Sequence, residues 1–289
     1  MRLPGLFAAL LLLVAPGAAL AQPPVWIVRD KDSTLVLFGS VHLLPSGLDW
    51  RPKALKDALA GADDIWFEAP MDQAGQTAAT TAAAAKALLP AGQRLSPLLS
   101  RAGRARLAKA AETLGLPMDE LDRLQPWYAE LAISNALYGK IGIQREDGVE
   151  LQLWDGVNPA AARHAFETPA EQVGFFADAP VRDQVASLEE TLKDMSGAEH
   201  DYQVVLKAWM GADLRTLDHE VLRPLRRSSP RLYATVVKQR NARWAAAIDR
   251  RLRGSGHTVV VVGMGHLVGA DGLPAMLRAR GYEVDGPPS

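Results

Sequence analysis

The chain has 289 residues, and its 32 lysines and arginines nearly balance its 33 aspartates and glutamates. This balance gives no global attraction to nucleic acid or anionic lipid, and the length allows one α/β domain with a large core. The sequence contains no cysteine, which excludes disulfides, thiolate zinc sites, iron–sulfur clusters and a cysteine nucleophile. Any metal must therefore be bound by nitrogen and oxygen ligands.

The first 21 residues have the pattern of a secretory signal peptide. Arg2 precedes an apolar run from Leu6 to Val14, and the small-residue segment Ala19-Leu20-Ala21 follows it. The apolar run is too short to span a bilayer comfortably. We therefore predict cleavage after Ala21 and a periplasmic or secreted mature protein, without stable membrane insertion after cleavage and without a nucleic-acid partner.

The remaining residues, 22–289, predict one domain with a helical middle at about 73–255. Apolar runs bounded by polar turns predict strands at Val25–Val28, Leu35–Phe38, in "DDIWFEAP", at Ala162–Phe166, in "TVVVV" and at Tyr282–Val284. Helical patterns predict helices at about 52–61, 73–89, 96–138, in "GVELQLWDG", from Thr168 to about 218, and at 231–253 and 273–281. Strands separated by helices are typical of an α/β fold, here a central mixed, largely parallel sheet covered by many helices.

Two segments near the ends of the chain share one pattern. "TLVLFGSVH", from Thr34 to His42, and "TVVVVGMGH", from Thr258 to His266, both read Thr, four apolar residues, then Gly-x-x-His. Each is followed by a glycine, a helix and another strand. The chain is therefore expected to carry a strand–Gly-x-x-His–helix unit near each end.

Three potential metal ligands lie at or just beyond the ends of predicted strands: His42, His266 and Glu68. In open α/β sheets ligands bind beyond the carboxyl ends of the strands, so parallel neighbouring strands would bring these side chains together. Two imidazoles and a carboxylate are suited to a divalent metal. Either histidine alone is more often a structural hydrogen-bonding group than a ligand, and the repeated placement makes the two interpretations about equal.

Other polar residues are weaker candidates. Glu150 and Glu167 lie near further predicted element ends and either join the site or are ordinary surface carboxylates. Arg240 and Asn241 lie on the long helix before the valine strand, where an arginine is usually solvated or salt-bridged. The chain has no Gly-x-Ser-x-Gly elbow and no phosphate-binding glycine loop, which weighs against serine-hydrolase and nucleotide chemistry.

The segments "LFGSVHLLP", "DDIWFEAP", "DGVELQL", "FETPAEQ", "QRNARWAAAI" and "VVVVGMGHLVGADGLPAMLRARGYEV" together resemble the TraB/PrgY/GumN family, and its bacterial GumN-like branch in particular. The resemblance covers nearly the whole mature chain. It implies a fold like that of erythromycin esterases and of the Tiki proteins, which are metal-dependent proteases. By motif it assigns the site to Gly39, His42, Glu68, Gly263 and His266, and it places Glu150, Glu167, Arg240 and Asn241 in the other recurrent segments.

The residues and the resemblance together predict an exported metal-dependent hydrolase, a peptidase with a peptide or protein substrate. His42, His266 and Glu68 would hold Mn²⁺, Co²⁺ or Zn²⁺, and water activated by the metal would attack a peptide carbonyl. Glu150 or Glu167 would be the general base and Arg240 would stabilise the oxyanion. The alternative is a non-catalytic periplasmic binding or scaffold protein that holds haem or a peptide in the same crevice.

Overall fold

The computed structural model of the chain describes residues 22–144, 147–156 and 158–288. The predicted signal peptide, residues 1–21, lies outside the described residues. The strands and helices are, in chain order, β1 (Val25–Arg29), β2 (Ser33–Ser40), β3 (Leu44–Pro45), α1 (Lys53–Ala60), β4 (Asp64–Phe67), α2 (Gln73–Ala85), α3 (Arg101–Leu114), α4 (Met118–Leu121), α5 (Pro126–Lys140), β5 (Ile143–Gln144), α6 (Val149–Gly156), β6 (Ala162–Ala165), α7 (Pro169–Ala177), α8 (Val181–Asp194), α9 (Ala198–Met210), α10 (Leu214–Leu217), α11 (Arg223–Ser228), α12 (Pro230–Tyr233), α13 (Arg240–Leu252), β7 (Gly256–Gly263), α14 (Leu273–Arg278) and β8 (Glu283–Asp285).

A six-stranded sheet in the order β6-β4-β7-β2-β1-β8 forms the centre of the molecule. Strands β6, β4, β7 and β2 are parallel, and β1 and β8 are antiparallel to their neighbours. The central strands β2 and β7 are almost entirely buried, as their continuous runs of Val and Leu require. The predicted α/β fold with a mixed, largely parallel sheet covered by helices is confirmed.

The register between β2 and β7 gives the two motif glycines, Gly39 and Gly263, different surroundings. Gly39 pairs with Val262, whereas Gly263 pairs with Ser40, so the two Gly-x-x-His segments are offset by one residue. Successive residues of a strand point to opposite faces, and Gly39 and Gly263 therefore face opposite sides of the sheet. A Cβ atom on Gly39 would collide with the side chain of Met264.

The long helix predicted at 231–253 is present, but it is not a regular α-helix. Its segment Ala234–Gln239, between α12 and α13, is π-helical. A π-helical turn changes the angular position of every residue after it, and such turns are frequent at functional sites. In this chain the turn ends immediately before Arg240, so it sets the direction of that side chain.

Two hydrophobic clusters support the fold. The larger lies on the sheet and contains Phe38, Trp50 and Trp209, whose indole Nε1 donates to Gly39 O at 2.8 Å. A second cluster joins α3, α5 and α8 through residues such as Leu107 and Leu188. None of the helices in the described ranges is long and apolar enough to cross a membrane.

Candidate functional site

The carboxyl ends of three adjacent parallel strands meet at one edge of the sheet. Gly263 ends β7, Glu68 follows β4, and His42 lies two residues beyond β2. His42 and Glu68 line a cavity of about 480 Å³, and Glu150 and Arg240 line it with them. The crevice is therefore at the edge where open α/β sheets bind their ligands.

Gly263 leaves open the point on which the predicted ligands converge. A Cβ atom at this position would lie 3.2 Å from Glu68 Oε1, 3.6 Å from His42 Nε2 and 3.7 Å from His266 Cδ2. The backbone N–H of Gly263 also donates to Glu68 Oε1 at 2.7 Å. The three side chains surround one gap, which any larger residue at position 263 would partly fill.

Glu68 and Glu167 are held side by side because β4 and β6 pair in parallel up to their ends. Glu167 N donates to Glu68 O at 2.9 Å, which continues the pairing beyond the strands. A capping box between Thr168 and Glu171 then starts α7 directly after Glu167. Two adjacent buried carboxylates repel each other, so this arrangement requires a cation.

Arg240 supplies the positive charge between these carboxylates. Its Nη2 donates to Glu68 Oε2 at 2.6 Å and to Glu167 Oε2 at 2.8 Å, and its Nε donates to Glu167 Oε1 at 2.9 Å. The guanidinium Cζ lies 4.6 Å from the ring centroid of Trp244 and 5.0 Å from that of Phe175. The Arg240 side chain is 7% exposed, so these contacts are little weakened by solvent.

The charges in this cluster keep Glu68 ionised. Burial raises the pKa of Glu68, but the electrostatic influence of His266, Arg240 and His42, with the Gly263 N–H, outweighs burial and lowers the pKa to about 2. For Arg240, burial lowers the pKa, but Glu68 and Glu167 outweigh it and raise the pKa above its ordinary value. The guanidinium and the Glu68 carboxylate are therefore both charged at neutral pH.

His266 is buried and fixed as the Nδ1–H tautomer. The Asn241 side chain donates through Nδ2 to the carbonyl oxygens of His266 at 3.2 Å and Asp271 at 2.7 Å, so its Oδ1 is an acceptor. His266 Nδ1 lies 2.6 Å from this oxygen and donates to it. The lone pair of His266 Nε2 accepts from Arg240 Nη1 at 3.2 Å, and this nitrogen lies 3.7 Å from Glu68 Oε1.

His42 lies at the mouth of the cavity and is oriented by a buried carboxylate. Its Nδ1 lies 2.6 Å from Glu150 Oε1, which also accepts a hydrogen bond from Ser40 Oγ. Burial raises the pKa of Glu150, but His42 and Ser40 outweigh burial and lower it. The ionised carboxylate therefore accepts the Nδ1 proton of His42, and in the neutral form of this imidazole the lone pair lies on Nε2.

The predicted site residues do not all reach the cavity. His42, Glu68, Glu150 and Arg240 line it. The remaining polar candidates are buried and do not line it: His266, Glu167 and Asn241. Arg240 contacts His266 and Glu167 directly. Of the two glycines, Gly263 borders the gap between the ligands, whereas Gly39 packs against Met264.

Three residues of the cluster do not follow from the sequence patterns. Gln172 Nε2 donates to Glu68 Oε2 at 3.2 Å, and Trp244 Nε1 donates to Glu167 Oε1 at 3.1 Å. Ser40 Oγ donates to Glu150 Oε1 and helps to hold this carboxylate in place. The first two lie in the segments "FETPAEQ" and "QRNARW", about one helical turn beyond the motif glutamate or arginine, and this spacing was the available signal.

The donor chemistry at the gap fits a divalent cation. Two imidazoles, each with Nδ1–H fixed by an oxygen acceptor and its lone pair on Nε2, together with an ionised carboxylate, match the usual arrangement of metal-binding histidines. Within the described residues, however, no three His, Asp or Glu side chains are already close enough to share one ion. Arg240 Nη1 would have to release His266 Nε2 before that nitrogen bound a metal.

The buried imidazole makes stability depend on pH. Burial lowers the pKa of His266 from 6.5 to about 4, with Glu68 opposing and Arg240 adding to the shift. As pH falls from 6.5 to 4 the unfolded chain binds a proton at this residue and the folded protein does not, so stability falls, by at most about 3 kcal/mol. We expect urea unfolding at pH 7.5 and 4.5 to show that the stability difference between the parent and His266→Gln shrinks at the lower pH. If the stability difference between the parent and His266→Gln were the same at pH 7.5 and at pH 4.5, the pH dependence would not come from His266.

The chain is similar in sequence to a known family over almost its whole described length. The family model described as the TraB/PrgY/gumN family matches residues 24–286. The uncharacterized protein YbaP of Escherichia coli (strain K12) is 25% identical over 260 residues, which cover 89% of this chain and 92% of that protein. The uncharacterized protein YbaP of Shigella flexneri shows the same identity and coverage. No solved structure matches the chain significantly.

Proposed function

Because the chain belongs to the TraB/PrgY/gumN family, we propose that it is an exported metal-dependent hydrolase that acts on peptides or proteins. The proposed metal is Mn²⁺, Co²⁺ or Zn²⁺, held by His42, Glu68 and His266. The observation that carries the proposal is the convergence of these three side chains around Gly263. Their donor atoms are two imidazole nitrogens and one ionised carboxylate, which suits all three ions.

The chain's own residues would prepare the ligands and the substrate. A divalent cation at this site would supply Lewis acidity for a carbonyl group and for water. Glu150 would hold the His42 imidazole through Nδ1, and Asn241 would hold His266 in the same way. Glu150 lines the cavity and Glu167 does not, so Glu150 is the better candidate for the general base.

The role proposed for Arg240 differs from oxyanion stabilisation. The guanidinium is already bonded to Glu68 and Glu167, and these strong contacts leave it poorly placed to follow a charge that appears on a substrate. We therefore assign Arg240 the task of orienting Glu68. Its contact with His266 Nε2 also sets a barrier to metal binding, since a guanidinium and a cation compete for one lone pair.

Substitution of Gly263 tests the proposed site without removing a ligand. Gly263→Ala would place a methyl group 3.2 Å from Glu68 Oε1, inside the gap. The backbone at position 263 has φ −51°, which alanine adopts without strain. We expect at least about a 10-fold loss of metal affinity with little loss of stability, measured by isothermal calorimetry and thermal unfolding. Unchanged affinity in a variant shown to bind metal would place the metal elsewhere.

A second candidate is a non-catalytic periplasmic protein that binds haem or a peptide in the same crevice. The observation that favours it is the closed network around Arg240, which neutralises Glu68 and Glu167 and occupies His266 Nε2 without any metal. A peptide-hydrolysis screen with Mn²⁺, Co²⁺ and Zn²⁺, repeated with chelator, separates the two. Cleavage that the chelator abolishes supports the hydrolase, whereas retention of peptide or haem without cleavage supports the binding protein.

A further inference from the structure

A second, larger cavity adjoins the candidate site. It has a volume of about 590 Å³ and lies among α2, α5, α7 and α8, with Ala83, Trp127, Val173 and Ser187 in its wall. The residues that line both this cavity and the site cavity are Leu131, Ser134, Asn135, Gln172 and Phe176. A ligand that reached the site would thus have a neighbouring chamber for one of its groups.

Glu130, on α5, is the only charged residue among those that line this chamber in the described part of the chain. Its Oε1 accepts hydrogen bonds from Ser187 Oγ at 2.9 Å and Thr191 Oγ1 at 2.8 Å, both on α8. Among the described residues no lysine, arginine or histidine forms an ion pair with Glu130, and none donates to its Oε2. The carboxyl group is therefore held in place by α8, while its charge has no cationic partner among the described residues.

The apolar walls of this chamber and its single carboxylate determine which side chain of a ligand it would accept. Its walls are mainly apolar, with aromatic rings from Trp127 and Phe176, and they suit a long aliphatic stem. Burial raises the pKa of Glu130, and the Ser187 and Thr191 hydroxyls only partly offset this. Burial deprives the Glu130 carboxylate of stabilisation by water. A cation placed beside it would stabilise its negative charge instead. A Lys or Arg side chain has both the stem and the cation.

We propose that the Glu130 chamber is a specificity subsite that takes a lysine or arginine side chain of a peptide bound at the neighbouring site. This inference rests on the proposed function in that it takes the ligand to be a peptide, but it does not require cleavage. The peptide would cross from one cavity to the other past Gln172, which already donates to Glu68 and lines both.

Binding measurements on the His42→Ala variant test the subsite separately from hydrolysis. The probes are N-acetylated pentapeptides Ala-Ala-X-Ala-Ala that carry fluorescein on a C-terminal diamine amide, in which X is lysine or its uncharged analogue norleucine. Fluorescence anisotropy is expected to show at least about 10-fold tighter binding of the lysine peptide, because a desolvated charge pair discriminates strongly against an uncharged group. The preference should disappear in a variant that also carries Glu130→Gln, which retains an oxygen to accept from Ser187 and Thr191.

The matched control is Glu190→Gln, since Glu190 is a half-exposed carboxylate of α8 that pairs with Lys193. This variant should keep the preference for lysine. A norleucine peptide with a free N-terminus is compared with its acetylated form. This comparison shows whether the chamber binds a terminal amine instead of a side-chain cation. Equal binding of the lysine and norleucine peptides, a preference that survives Glu130→Gln, or a preference only for the free terminus would each overturn the assignment. Lysine preference without any cleavage by the parent protein would support the subsite and count against the hydrolase.

Discussion

Replacing Arg240 by methionine is expected to lower the free energy of unfolding by about 3–5 kcal/mol, the usual cost of removing one partner from a buried ionic cluster. The guanidinium is the cation that lies between Glu68 and Glu167, and its removal leaves two adjacent buried carboxylates to repel each other. Methionine preserves much of the volume and apolar contact with Trp244 and Phe175, so the loss would report the charge. Urea unfolding at pH 7.5 measures it.

Arg243→Met is the matched control for this prediction. Arg243 lies on the same helix and donates to the same Glu167, but its side chain is 54% exposed. Exposed ion pairs contribute up to about 1 kcal/mol, so this variant should lose little stability. Equal losses in the two variants would show that the Arg240 cluster is no more than a surface ion pair. Partial recovery on adding Glu167→Gln to Arg240→Met would locate the cost in carboxylate repulsion.

The second large effect is expected for His42→Ala. Changes to groups that only orient a metal ligand typically cost about 10–100-fold in affinity or activity, so removal of the ligand itself should lower kcat/KM by at least about 100-fold. The fold should survive, because the His42 side chain is 66% exposed and Ser40 continues to donate to Glu150. Steady-state kinetics on a peptide that the parent protein cleaves would measure the loss.

His257→Ala controls for the removal of a histidine. His257 is exposed near the start of β7, whereas His266 follows the other end of this strand, so His257 lies at the edge of the sheet opposite the site. Its replacement should leave kcat/KM and metal content unchanged. If His42→Ala retained turnover, His42 would be neither a ligand nor a participant in the reaction.

The sequence was sufficient to predict the central sheet and the edge at which the candidate residues meet. Periodicity located the six strands of the central sheet to within about two residues, because buried strands are apolar runs bounded by polar turns. The short strands β3 and β5, which pair with each other, were not predicted. The paired Gly-x-x-His segments indicated that their strands are related, and β2 and β7 are indeed adjacent and parallel. Glu68 could be assigned to the same edge because a short apolar strand ends directly before it.

The internal connections of the site could not be predicted in the same way. The direction of Arg240 depends on the π-helical turn at Ala234–Gln239, and hydrophobic periodicity does not reveal such a turn. The different roles of Gly39 and Gly263 depend on a one-residue offset in strand register, although the two motifs read alike. Glu130 carries no local signal, since its setting is created by α8, more than fifty residues further along the chain.

Metal content shows most directly whether His42, Glu68 and His266 bind one divalent cation. The untagged protein, residues 22–289, would be equilibrated with Mn²⁺, Co²⁺ and Zn²⁺, freed of unbound ions and analysed by mass spectrometry beside the His42→Ala/His266→Ala double variant. We expect near-stoichiometric metal in the parent protein and none in the folded double variant. Equal metal in both proteins, or none in the parent, would contradict it.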